Sequence, residues 1–193
     1  MKATNNGSLV TVPDCLIKIP GGSFTGAEYG EILLNNLPDI SDSKNAVYNG
    51  EAIIGRSFPL YTYSHSADRS ISMQLHFFIV NPDDGARNLR YLRMIQSAVY
   101  PKNGKTSNTP YQPPPVCTIK CGNLLDDKEL CVILQSYSVK FPTDVAWDEK
   151  TYCPYRFDID TTWLVVYTSN KLPYQEDIIA AAVNSRIFSS GRI

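Results

Sequence analysis

Residues 53–80, with the sequence IIGRSFPLYTYSHSADRSISMQLHFFIV, constrain the fold more than any other part of the chain. Over residues 71–79, apolar side chains alternate with polar ones until the last few residues. A period of two residues is that of a β-strand with one buried face. The run over residues 52–63 is rich in apolar and aromatic side chains, and the polar residues 64–70 predict a turn after it. We therefore expect two paired strands, with Pro59 restricting the first to a sheet edge or a bulge.

A second β-rich region begins near residue 116. Residues 116–121 and 129–140 are β-prone runs separated by the turn-forming sequence GNLLDD, which predicts a hairpin. Residues 156–167 form another such run after a polar connection. Strands with one polar face are typical of antiparallel sheets, so we expect a mainly β protein.

One helix is predicted between the two β-rich regions, over about residues 83–99. Asn81 or Asp83 provides a candidate N-cap, and the acidic residues here suit the positive end of a helix dipole. The Tyr100-Pro101 pair ends the helix.

The 193 residues are enough for one domain with extensions. Residues 1–50 contain few long apolar runs and many turn-forming residues, which favours an extended N-terminal arm that could wrap a neighbour. Residues 51–170 then form the β domain. Residues 171–193 form a C-terminal tail in which EDIIAAAVNSRIF has helical character, and we expect a short helix that docks on a partner.

The composition excludes some classes of function. A net charge of −1 and a pI near 6.1 lack the basic excess from which nucleic-acid binding derives its affinity. No apolar run reaches the length of about 18 residues needed to span a membrane, and the first residues lack a signal-peptide pattern, so we expect a soluble protein made in the cytosol. The 12 tyrosines and the low charge favour protein contacts.

Candidate catalytic, metal and cofactor sites are weak. His65 and Asp68 with nearby serines could form a hydrolytic constellation, but their composition is that of an ordinary loop. Asp158 and Asp160 would share one face of a strand, where solvation or salt bridges explain them without a metal. The glycines at positions 21, 22 and 26 do not form a phosphate loop. We expect no enzyme activity, no metal and no cofactor.

Five cysteines are an odd number, so at least one is free in the monomer. Cys117 and Cys121 lie on one strand face, which differs from the spacing of a zinc knuckle, and Cys131 could lie across the hairpin from one of them. A cross-strand thiol pair is possible, but buried free thiols are the favoured interpretation.

The order of five motifs resembles a known family. The motifs are IIGRSFPLY, the strand SISMQLHFFIV, the helix NLRYLRMIQSAVYP, then PPPVCTIKCGNLL, and a last strand after VAWDEKTYCPYRFDID. Together they cover roughly residues 50–168 and resemble baseplate proteins of contractile phage tails that have the tail-tube fold, namely the tube initiator and its hub-to-tube adaptor relatives. The resemblance implies an antiparallel β-sandwich or half-barrel with one flanking helix.

The resemblance also implies a function. It implies a structural virion protein, assembled in the host cytoplasm, that forms a hexameric ring at the baseplate end of the tail tube. Such a ring joins the hub or spike to the tube and templates tube assembly. Its expected partners are further copies of this chain and neighbouring tube, hub and baseplate proteins. The candidate subunit contacts are Arg56, Tyr61, Tyr63, Arg69, Phe77, Ile79, Ile178 and Ile179.

Two alternatives remain open from the sequence. An OB-like barrel could bind an oligonucleotide or glycan by stacking bases on the aromatic residues Tyr61, Tyr63, Phe77 and Phe78, although interleaved basic residues are missing. A small hydrolase using His65 and Asp68 is the other alternative.

Overall fold

The computed structural model describes residues 15–21, 29–34, 36–81, 83–106, 109–122, 124–125, 129–149, 152–168, 172–175 and 178, and only the backbone of residues 102–111. Within these ranges the chain forms eleven β-strands and one α-helix. They are β1 (Cys15–Pro20), β2 (Tyr29–Leu33), β3 (Asp39–Ser43), β4 (Ala46–Glu51), β5 (Leu60–Ser66), β6 (Ser70–Phe78), α1 (Asp84–Ser97), β7 (Lys102–Thr106), β8 (Thr109–Gln112), β9 (Cys117–Cys121), β10 (Leu130–Lys140) and β11 (Arg156–Val165).

Seven strands form one antiparallel main sheet in the order β2-β1-β9-β10-β11-β6-β3. The strand pairs β4-β5 and β7-β8 form two smaller antiparallel sheets. The prediction of a mainly antiparallel β fold with one flanking helix is therefore confirmed. The predicted hairpin between residues 116–121 and 129–140 corresponds to β9 and β10.

The hydrophobic core covers one face of the main sheet. On β6 and β11 every second side chain is buried, as the alternation of apolar and polar residues predicts. Phe77 of β6 stacks on Phe157 of β11 with ring centroids 5.2 Å apart, and Trp163 is fully buried farther along β11. Helix α1 adds Leu92 and Ile95 to the same core. The opposite face of the main sheet carries mostly polar side chains.

The helix begins close to its predicted start, but its N-terminal hydrogen bonds differ from the prediction. Asp83 occupies the N-cap position without a side-chain cap hydrogen bond. The carboxylate of Asp84 instead accepts hydrogen bonds from the backbone N–H groups of Val80 and Asn81, at 3.0 and 2.9 Å. These bonds hold residues 80 and 81, which follow β6, against the first turn of α1.

The described part of residues 1–50 does not form an arm outside the β domain. β1, β2 and β3 are strands of the main sheet, and Ile17 and Ile19 of β1 are fully or almost fully buried in its core. The physical reason is that a strand as short as CLIKIP still buries one complete face when it pairs on both sides, with β2 and with β9. The predicted tail helix over residues 176–188 falls almost entirely outside the described residues.

The predicted pairing of residues 52–63 with β6 is wrong. β5 pairs with β4, whereas β6 pairs with β3 and β11. The reversal lies at residues 53–56, where the N–H of Arg56 donates to the carbonyl of Ile53 at 3.2 Å and Gly55 has a φ of +88°. A positive φ at the third position is typical of a type II turn and favours glycine. The polar residues 64–66 continue β5 instead of forming the turn.

No helix in the described part of the chain has the length and apolar character needed to cross a membrane.

Candidate interaction surface

Residues 46–66 form a projecting hairpin made of β4, the tip over residues 52–59, and β5. The hairpin continues the β3-β6 pair of the main sheet. Where the β3-β6 pair meets the β4-β5 pair, the N–H of Ala67 donates to the carbonyl of Asn45 at 2.8 Å. Beyond that point the hairpin is a separate two-stranded sheet. All seven residues of β5 are exposed, and five of the six residues of β4 are exposed as well.

One face of the projecting hairpin is formed by Tyr48, Tyr61 and Tyr63, which we call the tyrosine face. Tyr48 is directly opposite Tyr63, and their rings meet edge to face with centroids 5.8 Å apart. Tyr61 is opposite Gly50, and a Cβ atom added to Gly50 would lie 3.1 Å from the Tyr61 ring. Glycine at this position therefore leaves room for the Tyr61 ring.

The tip of the projecting hairpin is apolar. Ile54 is completely exposed in the turn, and Phe58 is also exposed. An isolated two-stranded hairpin is marginally stable in water, and contiguous exposed apolar surface commonly marks a site of protein interaction. The projecting hairpin is therefore the part of the described chain that most needs a partner to cover it.

Arg69 anchors the base of the projecting hairpin. Its guanidinium donates to both carboxylate oxygens of Asp42, and also to the Leu125 carbonyl at 3.2 Å and the Tyr167 hydroxyl at 3.4 Å. The hydrogen bonds to Asp42, and to a smaller extent the one to Tyr167, raise the pKa of Arg69 despite its partial burial. We expected Arg69 at a subunit contact, but its donors are directed to groups within the chain.

The other expected contact residues occupy different environments. Tyr61, Tyr63 and Arg56 are exposed on the projecting hairpin. Phe77 lies in the core because its strand position faces α1 and β11, so its ring is not on the surface of this chain. Ile79 is half-buried against the same core. Ile178 is exposed, and Ile179 lies outside the described residues.

Sequence reasoning missed Tyr48, Ile54 and Phe58 as surface candidates. Part of the signal was present, because LYTYSHS places tyrosines at alternate positions after the glycine-containing turn IIGR. AVYNGE lies almost entirely within the region expected to be an arm, for which the sequence predicts no strand pairing.

The polar face of the main sheet carries a network of ion pairs. His76 Nδ1 lies 2.7 Å from Asp158 Oδ1, and Arg156 lies 3.1 Å from the other oxygen of the same carboxylate. Burial raises the pKa of Asp158, but the hydrogen bonds from His76 and Arg156 outweigh it, so the pKa lies below its usual value. Lys140 pairs with Asp160 at 2.8 Å. Both aspartates thus form salt bridges within the chain.

The residues considered for catalysis and for metal binding lie in different parts of the structure. His65 lies on the exposed strand β5, with Nδ1 3.1 Å from the hydroxyl of its neighbour Ser64. Among the described residues, no group of three or more His, Cys, Asp or Glu side chains is arranged to hold a metal ion.

The aromatic residues considered for base stacking are also separated. Phe77 is in the core, and the Phe78 ring lies under the Arg156 guanidinium at 5.6 Å, whereas Tyr61 and Tyr63 are on the projecting hairpin. The four rings therefore do not form one platform.

Comparisons with known proteins give a structural similarity but no family. No protein-family model matches the sequence, and no curated protein matches it significantly. A solved structure of the tail of an empty GTA particle, computed with helical refinement and C6 symmetry, contains a chain that is similar to this one with a TM-score of 0.35 and 10% identity. The match covers 82% of this chain and 96% of that chain. A TM-score this low does not establish a shared fold.

Proposed function

We propose that this chain is a non-enzymatic structural protein that forms a ring at the baseplate end of a phage tail tube. The ring joins the hub to the tube and templates tube assembly, without a cofactor, as a component of the virion. The observation that carries the proposal is the projecting hairpin, whose tyrosine face and apolar tip have no cover within the described chain. Three parts of the proposal rest on the resemblance of the sequence motifs to baseplate proteins. They are the location in a phage tail, the position at the baseplate and the six subunits of the ring.

The main sheet supports assembly in a second way. Its outermost strands, β2 and β3, each pair on one side only among the described residues. An open sheet edge presents unpaired N–H and C=O groups and pairs readily with another chain unless it is covered. A closed ring covers two edges per subunit with the same contact repeated, which is how cyclic symmetry removes exposed edges.

The tyrosine face is the proposed contact between subunits. Tyrosine is enriched at protein interfaces because it buries a large ring while its hydroxyl remains able to hydrogen-bond. Arg69 and Asp42 hold the base of the projecting hairpin in a fixed direction, so the tyrosine face reaches its partner without first being ordered.

The test is electron microscopy and light scattering of the purified chain and of a Tyr61→Thr/Tyr63→Thr variant. We expect the wild-type chain, alone or beside tube or hub protein, to form rings with a central hole. We expect the variant to remain monomeric at the same concentration with an unchanged unfolding midpoint, because threonine preserves strand propensity.

Tyr100→Thr is the matched control, because Tyr100 is 63% exposed and Tyr61 is 65% exposed. This control should assemble like the wild-type chain. A wild-type chain that stays monomeric at every concentration, with no assembly beside tube or hub protein, would contradict the proposal. Retention on single-stranded DNA that weakens with salt would favour a binding module instead.

A further inference from the structure

Two of the five cysteines face each other across neighbouring strands. Cys15 of β1 and Cys121 of β9 are directly opposite in the antiparallel register. Both residues are 1% exposed and lie on the core face of the main sheet. Their side chains are hydrogen-bonded to each other.

The backbone shows which kind of cross-strand pair this is. The carbonyl of Cys15 accepts a hydrogen bond from the N–H of Leu34, on the β2 side of β1. The N–H and C=O of a strand residue point to the same side, so the backbone groups of Cys15 point away from β9. Cys15 and Cys121 therefore form a non-hydrogen-bonded pair, in which the Cα atoms are about 4.5 Å apart and the side chains approach most closely.

This geometry is compatible with a disulfide. Disulfides join residues whose Cα atoms are roughly 4.4–6.8 Å apart, and a non-hydrogen-bonded antiparallel pair lies within that range. The bond would form without moving either strand to a new register.

We propose that Cys15 and Cys121 are a redox-convertible thiol pair that forms an internal disulfide when the chain meets a low-molecular-weight disulfide such as oxidised glutathione. One cysteine thiolate attacks the glutathione disulfide and releases one reduced glutathione. The second cysteine then attacks the mixed disulfide and releases the other. Overall, two protein thiols and one oxidised glutathione give one protein disulfide and two reduced glutathiones.

Cys117 and Cys131 do not compete for this pairing. Cys117 is on the same strand as Cys121 but four residues away, which is about 13 Å along a strand, and its thiol donates to the Pro115 carbonyl. Cys131 is exposed on the opposite face of the main sheet, opposite Thr118. The alternative that Cys131 pairs with Cys117 or Cys121 is therefore wrong, because alternation along β10 turns Cys131 away from the core.

The environment of the two cysteines slows their reaction with a disulfide such as oxidised glutathione. The hydrogen bond between the Cys15 and Cys121 side chains, together with burial, raises the pKa of Cys121, and a thiol that resists ionisation attacks disulfides slowly. Exchange therefore needs a transient opening of β1, which lies next to the edge strand β2. Once formed, the disulfide would tie β1 to β9 and close a loop of more than half the chain.

The experiment uses the Cys131→Ser variant as the parent, so that the exposed thiol does not form its own glutathione adduct. The parent is treated with oxidised glutathione in two ways, either folded or unfolded in urea and then refolded. Each sample is acid-quenched, alkylated, and examined by intact mass and peptide mapping. We expect the loss of two hydrogens, one Cys15–Cys121 linked peptide, and a thermal midpoint raised by about 10 °C that dithiothreitol reverses.

A Cys131→Ser/Cys15→Ala variant is the matched control and should show neither the linked peptide nor the rise in midpoint. Recovery of Cys15 and Cys121 as separately alkylated peptides in both oxidised samples would overturn the proposal, as would a linked peptide that joins other cysteines. The linked peptide is read directly from the parent, so the result does not depend on how well the alanine variant folds. It is also independent of whether the chain assembles into rings.

Discussion

The Arg69 guanidinium binds the Asp42 carboxylate through three close contacts, with Nε 3.0 and 3.1 Å from the two oxygens and a terminal nitrogen 2.6 Å from one of them. Asp42 lies near the end of β3, and Arg69 immediately precedes β6. The ion pair therefore spans the point at which the projecting hairpin leaves the main sheet. The backbone carbonyl of Arg69 also accepts from the N–H of Val165, which ties this junction to β11.

Replacement of Arg69 should loosen this junction. We expect Arg69→Ala to lower the free energy of unfolding by about 2 kcal/mol, because it leaves the Asp42 carboxylate without its partner. Arg69→Lys should recover only part of this loss, since an ammonium group cannot make the forked contact. Urea unfolding measures the free energy, and hydrogen exchange should quicken on both sides of the junction.

Arg56→Ala is the control for the loss of an arginine. Arg56 is exposed at the tip of the projecting hairpin, and its removal should change the free energy of unfolding by less than about 0.5 kcal/mol. Equal effects of the two alanine substitutions would show that Arg69 does not anchor the projecting hairpin.

Phe77 should behave as a core residue. Its ring packs between Phe157 and Tyr91 and is only 5% exposed, so Phe77→Ala should cost about 3–5 kcal/mol and Phe77→Asp should prevent folding. Circular dichroism during thermal and urea unfolding measures the effect. Phe58→Ala at the exposed tip is the control and should leave the unfolding midpoint nearly unchanged. A folded, equally stable Phe77→Ala variant that failed to assemble would instead assign Phe77 to a subunit contact.

Strong periodicity made several elements predictable. β6 and β11 each bury every second residue over most of their length, and β10 does so over its first five residues. The turn-forming sequence GNLLDD between β9 and β10 allowed their hairpin to be expected. Helix α1 was predicted within two residues at each end, because acidic residues precede it and Tyr100-Pro101 follows it.

Strand partners and exposed surfaces were harder to predict. Alternation shows that β5 is a strand, but it does not say whether β5 pairs with β4 or with β6. The turn signal also pointed to the wrong place. Residues 64–66 are as polar as a loop, whereas the chain reverses at residues 53–56, where Gly55 has a positive φ. The burial of a short strand such as β1 cannot be predicted from its own sequence, because it depends on which strands pair with it.

Ionisation of the Asp84 carboxyl should make the stability of the fold depend on pH. Burial raises the pKa of its carboxyl, but the hydrogen bonds from the Asn81 and Val80 N–H groups, together with Arg87, outweigh it and leave the pKa below its usual value. A folded-state pKa below the unfolded one stabilises the fold above the unfolded value of about 4, and this contribution disappears as pH falls through the folded value.

Asp84→Asn should therefore lower the free energy of unfolding by about 1–3 kcal/mol at pH 7 and by clearly less at pH 3. Urea unfolding at the two pH values measures the difference. Asp83→Asn is the neighbouring control, because Asp83 is exposed and makes no side-chain cap hydrogen bond. A loss for Asp84→Asn that is the same at both pH values would show that the carboxylate charge does not contribute.

Gly55 should control the shape of the tip without controlling the stability of the main sheet. Its φ of +88° is strained for any residue with a Cβ atom, so Gly55→Ala should destabilise the turn by about 1 kcal/mol. Because the projecting hairpin is a separate two-stranded sheet, we expect the global unfolding midpoint to change little while the Arg56 amide exchanges faster and assembly weakens.

Gly122→Ala is the contrasting variant, since Gly122 also has a positive φ, of +54°, but follows β9 within the main sheet. Its substitution should lower the global midpoint, because the strain is placed at a turn that joins two core strands. Hydrogen exchange followed by light scattering distinguishes the two variants. If Gly55→Ala preserved both the protection of the Arg56 amide and the assembly of the chain, the conformation of the tip would not be required for the proposed subunit contact.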